Sequence, residues 1–182
     1  MTEISDRYRR LAGLFTDKVA AVPADRWDTQ SPCEEWNSRQ LVGHVADTQG
    51  MFLGLVGESA GDAPSVDADP LGAWTAARDA VQRALEDPAV AGKEFEGLFG
   101  RTRFEDAVDR FLCFDLVVHG WDLARAAGLD DTIALDDARR TAALASQFGE
   151  SLHSPGVCGP EVEVAADADE QTQLLALLGR TP

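Results

Sequence analysis

The run FLCFDLVVHGWDLA, residues 111–124, sets the tightest condition on any fold this chain can adopt. It is apolar almost throughout and so reads as buried helix, yet it carries Asp115 and His119 four residues apart. Side chains at i and i+4 of a helix lie one above the other, so both groups project toward whatever this helix packs against. A carboxylate stranded there is costly unless it is paired, hydrogen-bonded or bound to a metal. A second apolar stretch, RQLVGHVADTQGMFLGLV, is interrupted in the same way by His44. A divalent cation held by His44, Asp115 and His119 together would satisfy both interruptions at once.

The remaining pattern is helical. Tyr8, Leu11, Phe15, Val19 and Val22 recur at helical spacing until Pro23, which predicts a first helix over about 4–22. A loop with Trp27, Pro32 and Trp36 follows. Asn37 and Gln40 form a capping-box signal that starts a second helix, over about 38–56, with His44 in its second turn. GESAGDAPSVDADP, residues 57–70, reads as an exposed connection. Leu71, Trp74, Val81 and Leu85 mark a third helix that ends near Asp87 and Pro88.

A less regular connection over about 88–101 carries Phe95, Leu98 and Phe99. Thr102 and Glu105 repeat the capping signal, which predicts a fourth helix over about 103–127, stopped by Gly128. Asp136 is expected to cap a fifth helix through about Leu152. A loop with Pro155 and Pro160 comes next, then a short helix near Glu170–Leu178 closed by Gly179. The EVEV at 161–164 alternates but is too short to argue a sheet. The expected fold is therefore all-α: a four-helix bundle with short additional C-terminal helices, occupying 1–182 as one domain.

Charge bears on partners. The formal net charge of −16 over 182 residues repels phosphate backbones and anionic lipid, so neither nucleic acid nor a membrane surface is an expected partner. No stretch reaches the roughly 18 uninterrupted apolar residues of a spanning helix. MTEISDRYRRL lacks the apolar middle of a signal peptide, so a cytoplasmic location is expected. Cys33, Cys113 and Cys158 are too few and too scattered for a disulfide framework and are read as free thiols.

On the fourth helix Val108, Leu112, Asp115, His119 and Asp122 form one row that changes from apolar to acid, imidazole, acid. On the second, Leu41, His44, Val45, Thr48 and Phe52 form the corresponding row. Two imidazoles and one carboxylate leave coordination positions open, as catalytic metal sites do. By spacing alone, an Asp–His hydrogen-bonded pair accounts for Asp115 and His119 equally well. Scarcity favours the metal: of three histidines, two interrupt apolar helical stretches, whereas His153, beside Ser154 and Pro155, reads as a surface residue. Asp47 and Asp122 could support a ligand ring or adjoin the pocket, although a solvated face is the better reading of Asp47. Trp36 and Trp121 flank the ligand helices and could wall a pocket, although packing is the usual role of such tryptophans. Cys33 reads as structural rather than nucleophilic. Arg101 and Arg103 could meet an anionic substrate, with surface placement as the default.

The stretches SPCEEWNSRQLVGHVADTQGMF, FDLVVHGWDLARAAGLD and LLALLGRTP resemble the actinobacterial branch of the DinB-like metalloenzymes. That branch is related to the N-terminal domain of mycothiol-dependent maleylpyruvate isomerase. The resemblance implies a DinB-like four-helix bundle and a divalent metal, most often Zn²⁺ and sometimes Ni²⁺ or Fe²⁺, whose three ligands map onto His44, Asp115 and His119. The isomerase has a glutamate where this chain has Asp115, and many other members have a third histidine. The isomerase also carries a C-terminal domain that supplies part of its active site. The resemblance further implies a low-molecular-weight thiol cosubstrate, with mycothiol expected here. The expected function is thus a metal-dependent S-transferase or isomerase acting on a small electrophile. A non-catalytic metal- or ligand-binding bundle and a metal-dependent hydrolase are the alternatives. A homodimer is compatible with all three.

Overall fold

A computed structural model describes residues 2–97, 100–154 and 156–182; Met1, Leu98, Phe99 and Pro155 lie outside the described residues. Two compact units divide the chain, residues 1–129 and 130–182. The described residues are mostly helical, with one two-stranded sheet, and the fold is all-α and DinB-like. None of their helices is long and apolar enough to cross a membrane.

In the first unit α1 spans Glu3–Ala21, with the Thr2 hydroxyl accepting the Ser5 N–H at 3.2 Å. α2, Ser38–Leu55, starts at a complete capping box: the Gln40 N–H donates to Asn37 Oδ1 at 2.9 Å, and the Asn37 N–H donates to Gln40 Oε1 at 3.1 Å. The first turn of a helix has no carbonyls of its own for its backbone donors, and here two of them are satisfied reciprocally. α3, Pro70–Glu86, has proline at its first position and Asp69 as its cap. Pro88–Ala91 forms the short α4.

The connection predicted to be irregular contains a hairpin. β1, Glu94–Gly97, pairs antiparallel with β2, Gly100–Arg103, from Glu94 opposite Arg103 to Gly97 opposite Gly100. This pairing displaces the expected cap. Thr102 lies in β2 opposite Phe95, and α5, Phe104–Ala107, begins behind Arg103 without a side-chain cap. A π turn at Val108–Leu112 and then α6, Cys113–Ala127, continue without a break, and Gly128 closes α6 with φ +71°. That left-handed conformation is the one glycine adopts without steric cost.

The π turn corrects the predicted row. The Cys113 N–H bonds to the Val108 carbonyl, five residues back, so the turn holds one extra residue. An extra residue rotates the rest of the helix by about 100°, so Val108 and Asp115 are not in one regular row. Arg7 of α1 holds this turn: its Nη1 donates to Asp109 Oδ1 at 2.8 Å and to the Asp109 carbonyl at 3.3 Å.

α1 packs against α3 and α6, and α2 packs against the same two helices, so the four enclose one core. Tyr8, Phe15, Leu41, Leu53, Trp74, Leu112 and Leu123 are among its largest buried side chains. Burying a side chain of this kind contributes about 1.5–3 kcal/mol. Two polar pairs lie inside: the Tyr8 hydroxyl donates to Gln49 Oε1 at 2.9 Å, and Trp74 Nε1 donates to Thr16 Oγ1 at 2.9 Å. Burial holds the Tyr8 phenol well above its ordinary pKa. Gly43 of α2 faces Val66 of the 57–69 connection, where an added Cβ would come within 3.2 Å of the Val66 side chain. The missing side chain lets that connection lie on α2.

In the second unit α7 spans Leu135–Phe148 and α8 spans Glu170–Leu177, the two helices packing on each other. Asp136, the expected cap of α7, lies instead inside the first turn, where its charge suits the helix dipole, and Ala134 occupies the cap position. At Gly149 the chain tightens into a 3-10 turn through His153, so α7 ends earlier than predicted. The EVEV segment is not part of a sheet; the Val162 N–H bonds to the Ala176 carbonyl at 2.9 Å. Arg139 grips Glu170 with two hydrogen bonds of 2.6 and 2.7 Å.

Candidate metal centre

α2 and α6 bring His44, Asp115 and His119 together. One potential ligand atom from each lies within 4.8 Å of the other two, with His119 buried and the others half-buried. Asp115 and His119 share a face of α6 because that segment is regular helix after the π turn. His44 reaches them from the second turn of α2, whose first turn the capping box secures.

Asp122 is the next residue on the His119 face, and it has no solvent exposure. Its Oδ2 lies 3.0 Å from His119 Nδ1. A carboxylate only accepts, so this contact assigns the imidazole proton to Nδ1 and leaves the Nε2 lone pair available. Carboxylate support of this kind orients a metal-binding histidine and raises its basicity.

Aromatic rings pack around the two imidazoles. The Trp36 indole is stacked on His44 at 3.9 Å with an 18° interplanar angle, and it meets His119 edge-on at 5.7 Å. The two imidazoles are 5.2 Å apart and nearly perpendicular. Burial, with a smaller contribution from the neighbouring His119 ring, pushes the His44 pKa down to about 4. His44 is therefore neutral at physiological pH, which is the state in which imidazole binds metals.

The other residues singled out in the sequence have their own surroundings. Asp47 is exposed on α2. Trp121 is buried, but two residues beyond His119 it points about 200° away around the helix, and the Arg125 guanidinium lies 5.3 Å from its ring. Arg101 pairs with Glu94 across the hairpin at 2.7 Å, and Arg103 binds Asp106 and Glu105. His153 belongs to the second unit, where its Nδ1 lies 2.6 Å from the Gly159 carbonyl. Sequence reasoning does not single out Gln30 and Ser31, which organise the loop carrying Trp36. No residue type marks them, because their role depends on where backbone carbonyls converge.

The donor set fits a divalent cation such as zinc. Two imidazoles and a carboxylate are common ligands, and one imidazole already has the supporting carboxylate that such sites use. Donors about 2.1 Å from a shared tetrahedral ion lie about 3.4 Å apart, so the set would contract by up to about 1.4 Å, within the reach of side-chain rotation.

An all-α bundle with two imidazoles and a carboxylate facing one another between two of its helices has the layout of the DinB-like proteins. The chain belongs to the mycothiol maleylpyruvate isomerase N-terminal domain family, whose sequence model matches residues 8–124. That span includes His44, Asp115, His119 and Asp122. Family membership points to a mycothiol-related, metal-dependent function. Two uncharacterized proteins of Mycobacterium tuberculosis, from strains CDC 1551 and H37Rv, are each 26% identical over 179 residues, covering 96% of this chain and 96% of their own. No solved structure matches the chain significantly.

Proposed function

We propose that this protein is a metal-dependent enzyme that activates a low-molecular-weight thiol, mycothiol by family, for transfer to or isomerisation of a small electrophile. The observation that carries the reading is the facing set of His44, Asp115 and His119, with His119 oriented by a fully buried Asp122. A divalent cation held there would favour the thiolate form of a coordinated thiol near neutral pH, and the thiolate is the nucleophile.

The chain's own residues supply the rest. Asp122 accepts a hydrogen bond from the His119 Nδ1–H and keeps the Nε2 lone pair available. Burial keeps His44 unprotonated down to about pH 4. The Trp36 indole covers one face of His44 and excludes water from that side. With three protein donors, positions remain for a thiol and for the electrophile it attacks. The alternative of metal-assisted hydrolysis would need a nearby base. Asp122 and Asp47 are its candidates: Asp122 is already engaged and has no solvent contact, which counts against its serving as that base, whereas Asp47 is exposed on α2.

Metal content of protein purified without a polyhistidine tag is the first test, with His44→Ala as control. The expected result is about one equivalent of metal in the wild type and a sharp loss in the variant. A wild type that neither contains nor takes up metal overturns the proposal. Mycothiol-dependent consumption of a general thiol-conjugation electrophile is the second test. Turnover without thiol would favour hydrolysis, and metal binding without any turnover would favour a binding protein.

A further inference from the structure

His119 and His44 are held in place by different means. The His119 ring is tied at Nδ1 to Asp122. Among the described residues no hydrogen bond reaches the His44 ring, whose aromatic neighbours are the Trp36 indole at 3.9 Å and the His119 ring at 5.2 Å. A ring oriented by stacking is only as well placed as its stacking partner.

Trp36 ends a tight loop that begins at Gln30. The Gln30 Nε2 lies 3.4 Å from the Ser31 carbonyl oxygen, 3.1 Å from that of Cys33, 3.2 Å from that of Glu34 and 2.9 Å from that of Trp36. The Ser31 N–H donates to the Trp36 carbonyl at 3.1 Å, and the Trp36 N–H donates to the Cys33 carbonyl at 3.1 Å. The Ser31 hydroxyl lies 2.9 Å from the Cys33 oxygen and 2.6 Å from the Trp36 oxygen. Carbonyl oxygens gathered this closely repel one another unless donors stand between them, and a glutamine amide brings two protons to the spot.

We propose that Gln30 is a positioning residue for the candidate metal centre. By drawing the 31–36 carbonyls together it holds Trp36 flat against His44. The indole then orients His44, as the Asp122 carboxylate orients His119. The effect on metal affinity rests on the reading of His44 as a ligand; the link from Gln30 to the His44 ring does not.

Gln30→Glu tests this, because it keeps the side chain's length and replaces its amide protons with lone pairs facing the carbonyls. Gln30 is exposed, and Gln30→Ala serves as a milder second variant. The first readout is the proton NMR spectrum of the metal-free protein. The chain has three histidines, and protons lying on the face of an indole are shifted by its ring current. Both Gln30 variants should move the His44 ring resonances in the same direction as Trp36→Ala, while those of His153 stay in place. Unchanged His44 resonances in both variants would overturn the proposal.

The second readout is Co²⁺ affinity. Gln30→Glu should weaken it roughly tenfold, the scale of a lost supporting contact, and should weaken it no further in a Trp36→Ala background. Additive losses would show that Gln30 does not act through Trp36 and would overturn the proposal. A wild type that binds no Co²⁺ would remove the reading of His44 as a ligand, and the His44 resonances would still decide the role of Gln30.

Discussion

The Asp122 carboxylate lies 3.0 Å from His119 Nδ1 on one face of α6, shielded from solvent, and decides which imidazole nitrogen is available to a ligand. Removing its charge should therefore act on the metal and not only on stability. Asp122→Asn keeps an acceptor of similar size but loses the charge. Metal affinity should fall about 10-fold or more. Calorimetric titration of Zn²⁺ into wild type and variant is the check, and equal affinities would contradict the assigned role.

His44 makes the stability of the metal-free protein depend on pH. Its pKa is about 4 in the folded protein, against an ordinary value of 6.5. Between those values the unfolded chain binds the proton that the folded protein does not, so stability rises with pH across this window. Lowering the pH through 6.5 toward 4 should destabilise the fold by this route, and the loss should level off below 4. The ring is partly exposed, so its share should be on the order of 1 kcal/mol, less than the full shift would give. Urea unfolding of wild type and His44→Gln across this range should show the variant losing less stability.

The Arg7–Asp109 pair, at 2.8 Å, joins α1 to the π turn, and its side chains are 7% and 18% exposed. Arg7→Met leaves the Asp109 carboxylate and carbonyl without that donor. Chemical denaturation should show a loss of about 3 kcal/mol. Adding Asp109→Leu should recover part of the loss, because the carboxylate that Arg7 had neutralised is then removed.

The Asn37 cap secures the helix turn just before the one that carries His44. Asn37→Ala should cost about 1 kcal/mol of stability by freeing the Gln40 N–H. Because fraying begins within two turns of His44, metal affinity should also weaken, and titration beside thermal melting reads both effects.

Much of this arrangement is legible in sequence. The Asn37–Gln40 box, the Pro23 stop and the Gly128 stop place the ends of α1, α2 and α6 to within a residue or two, because caps and breakers act on their own neighbours. The spacing of Asp115, His119 and Asp122 also survives, since α6 is regular over that span. The Thr102 and Asp136 caps fail for a different reason. Hairpin pairing claims the backbone at Thr102, and α7 begins one residue before Asp136.

The sequence by itself determined the long helices and that two of their apolar stretches carry groups needing a partner. Periodicity and caps are local, and a buried carboxylate is costly wherever the chain goes. Only the tertiary structure decided that α2 lies beside α6 so that His44 meets Asp115 and His119, that a π turn gripped by Arg7 precedes α6, and that the Gln30 amide meets the carbonyls of the loop carrying Trp36. Those relationships join residues from about 6 to more than 100 positions apart, and they depend on packing, backbone register and carbonyl direction, none of which a residue type encodes.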